Sequence, residues 1–266
     1  RRALGPIRPR GVPGPAGHLA RVGPAGPQGR VLLAAFDARR PTRDVDLQAS
    51  HLRSDVESVL TLVRGIAAID VEDGLYFPPD GVRGEVIREV ELYAGVRVTV
   101  TCSLRADASF HVDVNVGDPI TPAPQRVAIP KLLEGELHVL GYPLAMVHAE
   151  NIVTAVGRGV ANTRWRDFGD LYVLSRRHDV IGAELATALA TVATHRGIAL
   201  QPLAVVLAGY GQSAQARYQV WRHRNGRDEL PERFEELLGH VIAFADPAVA
   251  GATAQLTWRT GDVSWR

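Results

Sequence analysis

From Phe110 to Val116 the chain alternates without a break. Phe110, Val112, Val114 and Val116 fall on one side, and His111, Asp113 and Asn115 on the other. Strict period two predicts a strand with one buried face. Val96 to Cys102 alternates Val with Arg and Thr and predicts a second half-buried strand. Arg43 to Gln48 predicts a third, with Val45 and Leu47 facing away from Asp44 and Asp46. Gly84 to Leu92 is a mixed segment assigned to a strand. Elsewhere the period lengthens. Val56, Val59, Leu60 and Val63 stand at helical spacing within Ser54 to Ile66, opened by Ser54-x-x-Glu57 in the manner of a capping box. Val31 to Phe36 suits a buried helix.

The turn-rich run Gly117-Asp118-Pro119-Ile120-Thr121-Pro122-Ala123-Pro124 marks a boundary. Beyond it the pattern becomes helical. Leu144 to Val156, Phe168 to Ser175, Gly182 to His195, Pro202 to Ala208 and Leu230 to Ala245 are expected helices, and Gly209-Tyr210-Gly211 reads as a helix-end turn. Strands with a helix, followed by a helical half, define an α+β fold. The expected units are residues 1–30, residues 31–128 carrying the sheet, and residues 129–266 carrying the helices.

Composition changes this picture at the N-terminus. Residues 1–30 hold six Arg, six Pro, seven Gly and no acidic or aromatic residue. Such a segment buries too little apolar surface to offset its ordering entropy and is expected to be disordered. It reads either as a basic arm or as a non-native start, since GC-rich DNA read in a wrong frame gives text of this kind. The remaining residues carry 24 basic and 29 acidic side chains, so the net charge of +1 conceals an acidic body. A polyanion would have to be met by a local arginine patch. Lys131 is the only lysine. Cys102, the only cysteine, excludes an internal disulfide framework and a four-cysteine zinc site, and reads as a small buried apolar residue. No apolar run approaches the roughly 18 residues of a membrane helix, and without a charged-then-apolar pattern no secretion signal is expected. A cytoplasmic protein is expected.

The candidate chemistry lies on the polar strand faces. Asp44 and Asp46, two residues apart in a strand, point the same way. If that strand neighbours the one carrying Asp113, three carboxylates converge and repel one another unless a cation is present. One or two Mg²⁺ ions would resolve this and would suit a triphosphate. The plainer reading is an exposed acidic face paired with Arg39, Arg40 and Arg43. Two aromatic signals are similarly double. Trp165, between Arg164 and Arg166, is either a base-stacking residue or a core anchor. Arg217 to Arg224 is either an RNA contact or a helix with a solvated basic face.

Three blocks in order resemble a known family. They are Arg40-Pro-Thr42-Arg-Asp44-Val-Asp46-Leu, then Phe110-His-Val-Asp113-Val-Asn-Val-Gly117-Asp118, and last Gly141-Tyr-Pro-Leu with His148-Ala-Glu150-Asn151 and Asn162-Thr-Arg164-Trp-Arg166-Asp167-Phe-Gly-Asp170-Leu. They are similar to the AbiEii/MenT nucleotidyltransferase toxins of the DNA-polymerase-β-like superfamily, over roughly residues 31–245. The resemblance implies a mixed-sheet nucleotidyltransferase domain followed by an α-helical domain, with the nucleotide in the cleft between them. It implies transfer of NMP from an NTP to an acceptor such as a tRNA 3′ end, Mg²⁺ in a two-metal site, and a cognate antitoxin protein as partner. Asp44, Asp46 and Asp113 would be the catalytic metal ligands. Gly29, Arg40, Thr42, Asn151, Arg164, Arg166 and Asp167 would bind substrate. Two departures stand out. Where the family has a Gly-rich turn, this chain reads Gln28-Gly29-Arg30, and where it has Lys, this chain has Asn151. Both touch triphosphate binding and raise a second reading, an impaired homologue that binds only nucleotide or antitoxin.

Overall fold

The computed structural model describes residues 26–38, 42, 44–49, 52–71, 73–88, 94–131 and 134–266. Five strands form one mixed sheet: β1 (Gly26–Gln28), β2 (Asp44–Ala49), β3 (Val82–Arg88), β4 (Ala94–Ser103) and β5 (Asp107–Val116), in the order β1-β2-β5-β4-β3. β2 runs parallel to β5, and the other pairings are antiparallel. The alternation read in the sequence has its expected outcome. Val96, Val98, Val100, Val112 and Val114 are buried on one face, where Val59, Leu60 and Val63 of helix α2 (Val56–Ala67) cover them. Gly84 lets that helix approach, because a Cβ there would stand 3.0 Å from both Leu60 and Val56. The N-cap is Asp55 rather than the expected Ser54: the Asp55 carboxylate accepts from the Ser58 backbone N–H at 2.9 Å.

The start of the chain departs from expectation. Gly26–Gln28 forms the edge strand beside β2, and helix α1 (Gly29–Leu32) runs on into a 3₁₀ turn, Leu33–Phe36. Structure therefore reaches back into the segment expected to be disordered, while residues 1–25 lie outside the described residues. Leu32 and Leu33 are buried in the core of the helical half, tying the chain start to both parts of the molecule.

After the Pro-rich turn comes a hairpin that the helical reading omitted, β6 (Gln125–Pro130) with β7 (Glu136–Gly141). Much of both strands is exposed, so neither carries a clean apolar alternation. Then follow α3 (Leu144–Arg158), α4 (Trp165–Arg177), β8 (Val180–Ile181), α5 (Gly182–Arg196), α6 (Leu203–Val206), α7 (Tyr210–Arg224) and α8 (Phe234–Val249). Two short strands, β9 (Thr257–Arg259) and β10 (Ser264–Trp265), join β8 in a small sheet. Gly209, with φ of 72°, begins α7, so the Gly-Tyr-Gly run opens a helix instead of closing one. The core here is aromatic. Trp165 stacks on Tyr210 with ring centroids 5.8 Å apart and meets Phe234 edge-on at 5.3 Å. Trp165 is thus a packing residue. Cys102 is half-buried.

His148, on α3, is 0% exposed, and neither ring nitrogen has a hydrogen-bond partner among the described residues. Burial, with a smaller contribution from His178, holds its pKa down at about 3. The unfolded chain therefore takes up a proton that the folded one refuses. The contribution to stability is complete above the ordinary value of 6.5 and is lost as pH falls from there toward about 3. His148→Leu should remove this loss. Between pH 7 and pH 5, urea unfolding of the natural chain should show roughly 2 kcal/mol more loss of stability than the variant. Equal losses in both would contradict a neutral, desolvated ring.

Candidate active site

The polar face of the sheet is built by register. Asp44 lies opposite His111 and Asp46 opposite Asp113 across the parallel β2–β5 pair. Asp113 in turn lies opposite Arg97 across the antiparallel β4–β5 pair. Directly paired residues share a face, so Asp46, Asp113 and Arg97 form one row. Arg97 grips Asp113 with a two-pronged contact: Nε donates to Oδ1 at 2.8 Å and Nη2 to Oδ2 at 2.7 Å. That contact holds the guanidinium pKa well above its ordinary value, with Asp44 and Glu85 adding to it. His111 Nδ1 stands 3.4 Å from Asp44 Oδ1. At the end of β5 the chain turns at Gly117, where φ is 90°. Buried Gln48 fixes this turn, its side-chain carbonyl oriented to accept from the N–H groups of Gly117 at 3.1 Å and Asp118 at 2.9 Å.

Asp44, Asp46, Asp113 and Arg97 line one wall of a cleft of about 260 Å³, and the helical half forms the other. From α3 come Glu150, Asn151 and Thr154. The start of α4 supplies Arg164, Arg166, Asp167 and Asp170, and the end of α5 supplies Arg196. The α4 start is positioned by Asn162, which is 1% exposed. Its Oδ1 accepts from the Arg164 N–H at 2.8 Å, and its backbone carbonyl accepts from the Tyr210 hydroxyl. The positive end of α4 thereby opens onto the cleft beside two arginines. Arg166 lies 3.5 Å from Asp167. Arg196 donates to Thr154 Oγ1 at 2.8 Å and stands 3.8 Å from Glu150. Burial drives the Glu150 pKa up to about 7. Arg196 opposes that rise, and Asp118, Asp46 and Asp167 reinforce it. His195 Nε2, 3.2 Å from Asp118 Oδ1, ties the helical wall to the turn after β5.

The structure thus gathers Asp44, Asp46, Asp113, Asn151, Arg164, Arg166 and Asp167 around one cleft. Thr42 does something else. Its hydroxyl donates to the Asp44 carbonyl at 3.0 Å and accepts from the Asp44 N–H at 3.1 Å, fixing the entry to β2. Gly29 opens α1 next to Gln28, the register partner of Asp46. Arg40, with Arg39 and Arg43, lies outside the described residues. Two charged cleft residues escaped the sequence reading. Arg97 was recoverable, because a tight turn between two alternating strands sets it opposite Asp113. Arg196 was not, because nothing local marks a helix-end arginine as a cleft residue. Among the described residues no group of three or more Asp, Glu, His or Cys side chains is gathered closely enough to hold a metal ion. No helix of the described residues is long and apolar enough to cross a membrane.

The chain belongs to a family of nucleotidyltransferase toxins. The matching family model is that of the nucleotidyl transferase AbiEii toxin, type IV toxin–antitoxin system, and it covers residues 29–240. Among solved structures the chain is similar to MenT4, a nucleotidyltransferase toxin from Mycobacterium tuberculosis H37Rv, with 19% identity and a TM-score of 0.42. That match covers 68% of this chain and 61% of the other. No curated protein matches the chain.

Asn162→Ala should remove the buried acceptor that fixes Arg164. Chemical unfolding should show a loss of roughly 1–3 kcal/mol, the cost of a buried donor left without its partner. An unchanged unfolding midpoint would mean that the α4 start is held by other contacts.

Proposed function

We propose that this chain transfers a nucleoside monophosphate from an NTP to an acceptor hydroxyl, with Mg²⁺ as the metal and an RNA 3′ end, such as that of a tRNA, as the acceptor. The observation that carries the reading is the meeting in one cleft of the strand carboxylates Asp44, Asp46 and Asp113 with Arg164, Arg166 and Arg196 from the helices. Family membership supports the same reading. A toxin of this kind would work in the cytoplasm, where NTP and RNA are found, and would have a cognate antitoxin.

The donor set fits the metal, because Asp44 and Asp46 offer hard carboxylate oxygens from one strand face onto the cleft. Asp44 and Asp46 would hold the ion, and Asp113 is the third carboxylate of the same face. Bound there, Mg²⁺ would polarise the α-phosphate and offset the charge of departing pyrophosphate. Arg164 and Arg166, with the positive end of α4, take the phosphate oxygens from the other side. Asn151 contributes a neutral hydrogen-bond donor. Arg196, which lines the same cleft as Asn151, supplies a cation there where position 151 has none, and this weakens the case for an impaired homologue. Each Asp113 oxygen accepts one bond from Arg97 and keeps a lone pair, which can receive the proton of the attacking hydroxyl.

Incubation with radiolabelled NTPs, Mg²⁺ and total tRNA tests the proposal. Label should pass to RNA and fall to background in Asp46→Asn. No transfer to any acceptor, alongside tight nucleotide or antitoxin binding, would favour the impaired homologue instead. The Glu150 pKa of about 7 gives a second expectation. Above that pH the carboxylate is charged, repels triphosphate and offsets Arg196; below it the group is neutral. Calorimetric NTP affinity should therefore strengthen roughly threefold to tenfold from pH 8 to pH 6, the effect of one charge acting across a few ångströms. Glu150→Gln should bind with the low-pH affinity throughout. A pH dependence that survives in Glu150→Gln belongs to another group.

A further inference from the structure

We propose that Arg97 is a resident cation of this cleft: its guanidinium occupies the Asp113 carboxylate, so that the site takes one divalent ion, at Asp44 and Asp46, and not two. The inference rests on the nucleotidyl-transfer reading and deepens it.

Three observations carry it. First, the contact is built into the sheet. Arg97 and Asp113 are register partners on adjacent antiparallel strands, so backbone pairing keeps the two side chains within reach of each other. Second, both Asp113 oxygens are engaged, at 2.8 Å and 2.7 Å, in the paired geometry that guanidinium makes with carboxylate. A divalent ion on the remaining lone pairs would stand a few ångströms from a fixed positive charge. Third, the carboxylates of this face have different charged neighbours: Asp113 pairs with Arg97, while Asp44 has His111 at 3.4 Å. No group of three or more potential metal-binding side chains is assembled among the described residues. Triphosphate charge would be met by Arg164, Arg166 and Arg196 across the cleft in place of a second ion.

Arg97 then acts as a positioning residue. It fixes the rotamer of Asp113 and reserves that carboxylate for the acceptor hydroxyl. Its removal should open Asp113 to metal, not merely weaken the fold.

Mn²⁺ binding followed by electron paramagnetic resonance, with the full chain and a saturating non-hydrolysable NTP analogue, reads this directly. The natural chain should hold one tight Mn²⁺ without Mn–Mn spin coupling, and Arg97→Gln should hold two with coupling. Two coupled ions in the natural chain would overturn the inference and leave the transferase reading standing. So would a folded Arg97→Gln that still holds one. No tight Mn²⁺ in the natural chain would overturn the metal-dependent reading and this inference together. Should Arg97→Gln fail to fold, the count in the natural chain decides. Arg97→Lys, a point charge that cannot fork, serves as the second variant and should show a weakened hold on Asp113 through added Mn²⁺ uptake.

Discussion

The parallel register of β2 against β5 is the constraint on which the rest of this molecule depends. It places Asp44 beside His111 and Asp46 beside Asp113, and the antiparallel β4 then brings Arg97 to the same row. A slip of β2 by one residue would turn Asp44 and Asp46 to the opposite face and drive Val45 and Leu47 out of the core. The buried valines and α2 on one side of the sheet therefore fix the chemistry on the other. Hydrophobic burial here is what makes a row of like charges tolerable, because backbone pairing supplies the proximity and Arg97 offsets part of the repulsion.

The opposite wall is fixed by different means. Its arginines stand at helix ends, and the start of α4 is locked by an aromatic core in which Trp165, Tyr210 and Phe234 contact one another. Asn162 joins that core to the cleft, being held by the Tyr210 hydroxyl on one side and holding the Arg164 backbone on the other. His195 to Asp118 and Leu32 with Leu33 connect the two halves. The cleft between them is lined by the strand carboxylates on one side and by arginines interleaved with Glu150, Asp167 and Asp170 on the other, which suits the proposed ligand, a nucleotide with its metal.

Much of this was legible in the chain. Period two placed Asp44, Asp46, His111 and Asp113 on polar faces, and the register delivered them to one side of the sheet. The α4 block was legible as a motif, and its arginines line the cleft. What was not legible has physical causes. The β6–β7 hairpin is largely exposed, so its residues carry no strong apolar signature. Helix α7 has only three buried residues, Tyr210, Ala214 and Tyr218, and its basic surface concealed its period. Gly26–Gln28 reads as turn-forming text, yet pairs with β2 because a strand edge offers any backbone its hydrogen bonds. Arg196 comes to the cleft only through the packing of α3 on α5, a long-range fact that no local pattern contains. The N-terminal glycine turn stands next to Asp46 in register, whereas Arg40 lies outside the described residues.

The central claim is that metal and triphosphate meet between the sheet carboxylates and the helical arginines. A crystal structure with Mn²⁺ and a non-hydrolysable NTP analogue tests it most directly, through the anomalous scattering of the manganese. The account predicts an anomalous peak bound by Asp44 and Asp46, with the triphosphate reaching Arg164, Arg166 and Arg196. A peak elsewhere, or a nucleotide bound away from those arginines, would contradict it.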